Sequence, residues 1–121
     1  MKRIFTLILF ILLVSSFTAE ASNAQRKIST GELSVDTAIK ITAGTVYDIE
    51  IVATAAGGYA TLYDTNAVDA VGAYSGKTKL IEVREATQYD SKHVSLGEYG
   101  IKAHTGITLN LNNVTAIIYY Y

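Results

Sequence analysis

The chain has no cysteine, no proline and no tryptophan, and its single methionine and three phenylalanines all fall within the first 17 of its 121 residues. Without cysteine, no disulfide staples the fold and no lipid anchor can be attached through a thiol. Aromatic character beyond the start of the chain rests on nine tyrosines. Each carries an apolar ring with a hydroxyl that needs water or a partner, which suits surfaces and interfaces better than deep cores. Basic clusters are missing too, which excludes an electrostatic footprint for nucleic acid. Nothing resembles a nucleophile elbow, a phosphate loop or a metal-binding histidine pair.

What is present begins with a leader. Lys2 and Arg3 precede an apolar run over residues 4–14, interrupted only by Thr6, and residues 15–24 are mostly small. Cleavage after Ala21 or after Ala24 fits the small-residue rule for a secretory signal peptide. The apolar run is short against the roughly 20 residues that a spanning helix needs. A signal peptide at residues 1–24 and one domain at residues 25–121 are therefore expected, with a secreted, periplasmic or cell-surface location and no membrane attachment after cleavage. Lys2 and Arg3 leave with the leader, as does Glu20, so the mature net charge falls to about -2.

Residues 46–64 are the most strongly patterned stretch. Tyr47, Ile49, Ile51 and Ala53 alternate with Asp48 and Glu50, and Tyr59, Thr61 and Tyr63 alternate with Ala60 and Leu62. Between them Ala55-Ala56-Gly57-Gly58 supplies the backbone freedom of a tight reversal, so a β-hairpin is expected here. Period-2 runs recur at residues 38–43, with Ile39, Ile41 and Ala43 on one face, and at residues 79–85, with Ile81 and Val83 on one face. They recur again at residues 93–96 and at residues 107–111, with Ile107, Leu109 and Leu111 inward and Thr108 and Asn110 outward. A weaker first strand over residues 28–35 contains Gly31, and suits packing on its own domain or on a neighbour. Residues 65–78 read as a long loop. After Asn112-Asn113, residues 114–121 form a strand apolar or aromatic on both faces, and such a strand needs cover on both. About seven or eight short strands and no helix imply an all-β fold, an antiparallel β-sandwich or jelly roll.

Candidate sites are few. Asp64, Asn66 and Asp69 place three oxygen-bearing side chains within six residues and form the one calcium candidate, but the spacing departs from a calcium loop and a plain Asx-rich turn explains it better. His93 and His104 lie on separate elements with no cysteine to help, and read as structural or surface residues. No catalytic residue, metal or cofactor is expected, because Glu82 and Glu85 fall on opposite faces of one strand where they cannot share a substrate. Ile117, Tyr119, Tyr120 and Tyr121 are the candidate interface. Tyr63 and Tyr74, beside the long loop, are the candidate ligand-binding pair.

Several segments resemble small β-sandwich structural proteins of tailed-phage virions, the head-fibre and capsid-decoration type. They are Ala60-Thr61-Leu62-Tyr63-Asp64, the Thr/Lys-rich stretch at residues 77–83, Gly106-Ile107 opening the penultimate strand, and the Tyr-rich closing strand, together spanning about residues 45–121. The resemblance implies a non-enzymatic protein that associates with copies of itself or with a shell. Virion proteins assemble in the cytoplasm and have no export leader, so the fold and the assembly role carry over and the virion setting does not. The expected function is an exported structural protein that self-associates through strand edges and its Tyr-rich C-terminal strand, as a homo-oligomer or filament, on a cell surface or a virion shell. The alternative is an extracellular glycan-binding module using Tyr63, Tyr74 and the loop beside them.

Overall fold

The computed structural model describes residues 27–69 and 74–121. The expected leader lies outside these residues, as do residues 70–73 of the long loop. The described residues form nine strands, β1 Ile28–Ser29, β2 Thr37–Lys40, β3 Gly44–Ala53, β4 Gly58–Asp64, β5 Thr78–Glu85, β6 Ser91–Ser95, β7 Ile101–Ala103, β8 Ile107–Asn112 and β9 Val114–Tyr120, with no helix among them. The count exceeds the expected seven or eight because residues 91–103 form two strands. Gly97 and Gly100 take positive φ (78° and 59°) between them. Both strands then pair in succession with β3, β7 at Gly44, Thr45 and Val46 and β6 from Asp48 to Val52.

The strands make two antiparallel sheets. The first runs β1-β9-β3-β6 with β7 also on β3, and the second runs β2-β8-β4-β5. Their inner faces share one core, as in a β-sandwich. Ile49, Ile51 and Ile118 come from the first sheet and Leu62, Ile107 and Leu109 from the second, each at most 1% exposed. Burial of each such side chain stabilises the fold by roughly 1.5–3 kcal/mol, and alternation along each strand delivers them to one side.

The expected hairpin at residues 46–64 is not one. Its arms, β3 and β4, belong to different sheets, β3 pairing with β9 and β4 with β8. The Ala-Ala-Gly-Gly reversal carries the chain from one sheet to the other. A second crossing, from β8 to β9 through Asn113, stacks against it. The N–H of Thr54 donates to the Asn113 carbonyl at 2.8 Å, and a Cβ on Gly58 would sit 2.5 Å from that same oxygen. Gly57 (φ 72°) and Asn113 (φ 55°) adopt the left-handed backbone that each corner needs. The turn residues are as expected, but what they connect is different. A hairpin and a corner use the same local chemistry, and only the distant partners of each arm separate them.

Two faces also differ from expectation. Ile41, expected inward with Ile39, is 69% exposed, because β2 stops at Lys40 after its register against β8 slips between Ala38 and Lys40. Thr108, expected outward, is fully buried beneath the loop after β4, where its hydroxyl donates to the Thr65 carbonyl at 2.8 Å.

Candidate functional site

The C-terminal strand β9 lies inside the first sheet, with β3 on one side and the N-terminal segment on the other. Its alternation sends Val114, Ala116 and Ile118 into the core, and Tyr120 packs against that core. Tyr120 is thus separated from Ile117 and Tyr119, with which it was grouped as one interface. Those two are half-buried on the outer face. The Tyr119 hydroxyl donates to Glu50 Oε2 at 3.4 Å, and Ile117 lines a shallow cavity of about 290 Å³ with Glu32, Glu50, Val52 and His93. Tyr121 is 48% exposed beyond the strand end, with Lys40 Nζ 5.6 Å from its ring centroid.

The cover on β9's far edge is thin. Ile28 and Ser29 pair with Tyr120 and Tyr119, the chain swings out at Gly31 (φ 70°), and Leu33 returns to bridge Ala116. Four hydrogen bonds besides the β1–β9 ladder hold this arm along β9. The Thr30 N–H donates to the Ile118 carbonyl (3.0 Å) and the Ile118 N–H to Thr30 Oγ1 (3.0 Å), while Leu33 and Ala116 exchange N–H to carbonyl bonds of 2.8 and 2.9 Å. At the arm's start, Lys27 Nζ lies 3.0 Å from Asp48 Oδ2 and 5.1 Å from the Tyr47 ring centroid. Burial pushes the Asp48 carboxyl up, but hydrogen bonds from Lys27 and Ser95 and the nearby charges of Lys27 and His93 outweigh it and hold the group below its ordinary value.

On the second sheet, the two ligand-binding candidates Tyr63 and Tyr74 meet. Their rings stack with centroids 4.4 Å apart and planes 12° from parallel. Tyr63 projects from β4 and Tyr74 from the returning limb of the long loop. Asp64, the first calcium candidate, is already engaged: its carboxylate accepts from the backbone N–H groups of His104 (2.9 Å), Thr105 (2.7 Å) and Gly106 (3.2 Å). Burial raises its pKa, yet these donors and the His104 side chain outweigh burial and lower it. Asp69 turns instead to Lys77, 3.7 Å away, and Asn66 is exposed with its backbone packed against Gly106. Asp64 is therefore a clamp that ties the end of β4 to the turn between β7 and β8. Among the described residues no three His, Cys, Asp or Glu side chains converge as a metal-binding group.

No family model matches the chain, and a search of curated proteins finds no match.

Sequence reasoning did not single out Lys27, Asp36, Tyr59, Asn110 or Asn112. Asp36 accepts from Asn110 Nδ2 (2.8 Å) and from the Leu111 N–H (2.7 Å), which anchors the chain at the entry to β2. Asn110 and Asn112 lie two apart on β8 and so share its outer face, opposite Thr61 and Tyr59 of β4. The i, i+2 spacing of both pairs was visible in the sequence. Their adjacency was not, because it depends on β4 pairing with β8.

Proposed function

We propose that the protein is an exported, non-enzymatic structural subunit that self-associates by exchanging its N-terminal arm, residues 27–34, between copies. The observation that carries this reading is the thin cover on β9. A two-residue strand and one bridge, interrupted at Gly31, occupy an edge whose other groups would accept any strand of the same sequence. Ser34 and Val35 are exposed, Val35 at 67%, between the arm and the Asp36 anchor. They form the natural hinge for a swapped arm, since exchange replaces every contact by an identical one.

The strand order supports a jelly-roll reading, with β1-β9-β3-β6 facing β2-β8-β4-β5 as in a long hairpin folded over on itself. A β-sandwich is also the fold that the resemblance to phage head-fibre and capsid-decoration proteins implies, and export rests on the expected leader alone. The carboxylates with clear partners serve structure: Asp48 holds the arm, Asp64 clamps a turn, Asp36 anchors β2 and Glu82 joins Thr61 of β4 to Lys79 and Arg84 of β5.

The test is the size of the mature protein by light scattering as concentration rises, against a variant lacking residues 25–34. The mature protein is expected to form dimers or longer assemblies. The shortened one is expected to lose them and to take up a synthetic peptide of residues 25–35. A mature protein that stays monomeric at millimolar concentration, or a shortened one that assembles equally well, contradicts the proposal.

A further inference from the structure

We propose that the cleft on the outer face of the second sheet, between the Tyr63–Tyr74 pair and the Asn110–Asn112 row, is a binding site for a neutral saccharide. The cleft has a volume of about 780 Å³ and is lined mainly by Asp36, Tyr59, Tyr63, Tyr74, Asn110 and Asn112. That lies within the range of small-ligand sites. Outward positions of a two-sheet fold ordinarily carry solvated charges, whereas here adjacent strands set an aromatic row beside an amide row. Tyr59 stands opposite Asn112, and Tyr63 lies four residues further along the same face of β4.

The chemistry of the lining selects the ligand. Among the described residues no lysine, arginine or histidine lines the cleft, so a phosphate or sulfate would meet none of their cations there. Arg84, whose guanidinium lies 4.9 Å from the Tyr59 ring centroid, is paired with Glu82. The negative faces of tyrosine rings attract polarised C–H groups, and amides with a carboxylate supply donors and acceptors together. A sugar presents both features at once, an apolar C–H face and a rim of hydroxyls. The polar side is pre-set, because Asp36 already orients the Asn110 amide through the 2.8 Å bond. The aromatic side is pre-set as well. Tyr74 is 8% exposed and backs Tyr63, which holds the stacked ring in place.

Apart from Val35 at the arm's hinge and Asp36 at the entry to β2, the lining belongs to the second sheet and its loop, and the titration below reads Tyr63 and residues 110–112, so the site stands or falls apart from self-association. The test is an NMR titration of the isotope-labelled mature protein with cellohexaose, chitohexaose and maltohexaose in turn, and with inorganic phosphate. At least one oligosaccharide is expected to shift the amides of Tyr63 and residues 110–112 saturably, while phosphate leaves them in place. Asn112→Ala, at an exposed position that does not support the fold, should weaken binding about tenfold, the effect of one lost hydrogen bond at a desolvated site. Tyr63→Ala should abolish it. No saturable shift with any of the three sugars, saturable binding of phosphate at these amides, or sugar binding unchanged in both variants would overturn the assignment.

Discussion

The two sheets contribute alike to one core and differ in how their outer surfaces are finished. The first is completed by an N-terminal arm, laid along the edge of β9 by a two-residue ladder and four further hydrogen bonds and tied to Asp48 of β3 by one ion pair. The second carries the loop between its own neighbouring strands β4 and β5, whose start is locked down by Asp64 on three backbone N–H groups and by Thr108 on the Thr65 carbonyl. An arm joined at one end can leave and be replaced by another copy's. A loop held at both ends can only stay and shape a surface. On this difference rest the two proposals, assembly at the first sheet and ligand binding at the second.

The largest effect is expected where the two sheets meet. Ile118→Ala empties a fully buried site in the shared core and should cost about 2–5 kcal/mol. Denaturant unfolding followed at tyrosines of both sheets should give one coincident transition, and separate transitions would mean that the sheets are not one cooperative unit. Asp64→Ala strips the acceptor from the three N–H groups at residues 104–106 and should cost about 1–3 kcal/mol. Hydrogen exchange should speed at those amides first and leave the arm's amides unaffected.

Gly31→Val acts on the other side of the comparison. It forces a β-branched residue into φ 70° with open space around it, a conformational cost of about 1–2 kcal/mol, and should loosen the arm while sparing the loop. Acid should do the same. Asp48 and Asp64 both titrate below their ordinary values in the folded protein, so the stability they lend is present above about pH 4 and drains away as pH falls through their lowered values. The partly exposed Lys27–Asp48 pair is also screened by salt, so low pH and high salt together should release the arm's amides to exchange before the body unfolds. The smallest effect is expected from Tyr119→Phe, about 0.5 kcal/mol or less, because its hydrogen bond to Glu50 is long at 3.4 Å.

Much of this was legible in the sequence. Alternation marked β3, β5, β8 and β9 and separated Tyr120 from Tyr119 and Tyr121, although all three were assigned to one interface. Gly57 and Asn113 announced left-handed turns; Tyr63 and Tyr74 were named together as ligand candidates, but their stacking was not legible, because it depends on how the long loop returns. Sheet membership was not legible, since an Ala-Ala-Gly-Gly reversal reads the same in a hairpin and in a corner between sheets. Thr108 looked solvent-facing because its strand's period is blind to a loop folding over it. The arm was barely visible, because two paired residues around a glycine leave no periodic signal.

Self-association by arm exchange is tested most directly by disulfide trapping, which the absence of native cysteine makes clean. Ser29 and Tyr119 are register partners across β1 and β9. A mixture of Ser29→Cys chains with Tyr119→Cys chains, oxidised at high concentration, is expected to yield a cross-linked heterodimer that grows with concentration, while Ser29→Cys mixed with Asn112→Cys yields none. If the first mixture remains uncross-linked, or if both mixtures cross-link equally, the arm stays on its own copy and the proposed assembly is wrong.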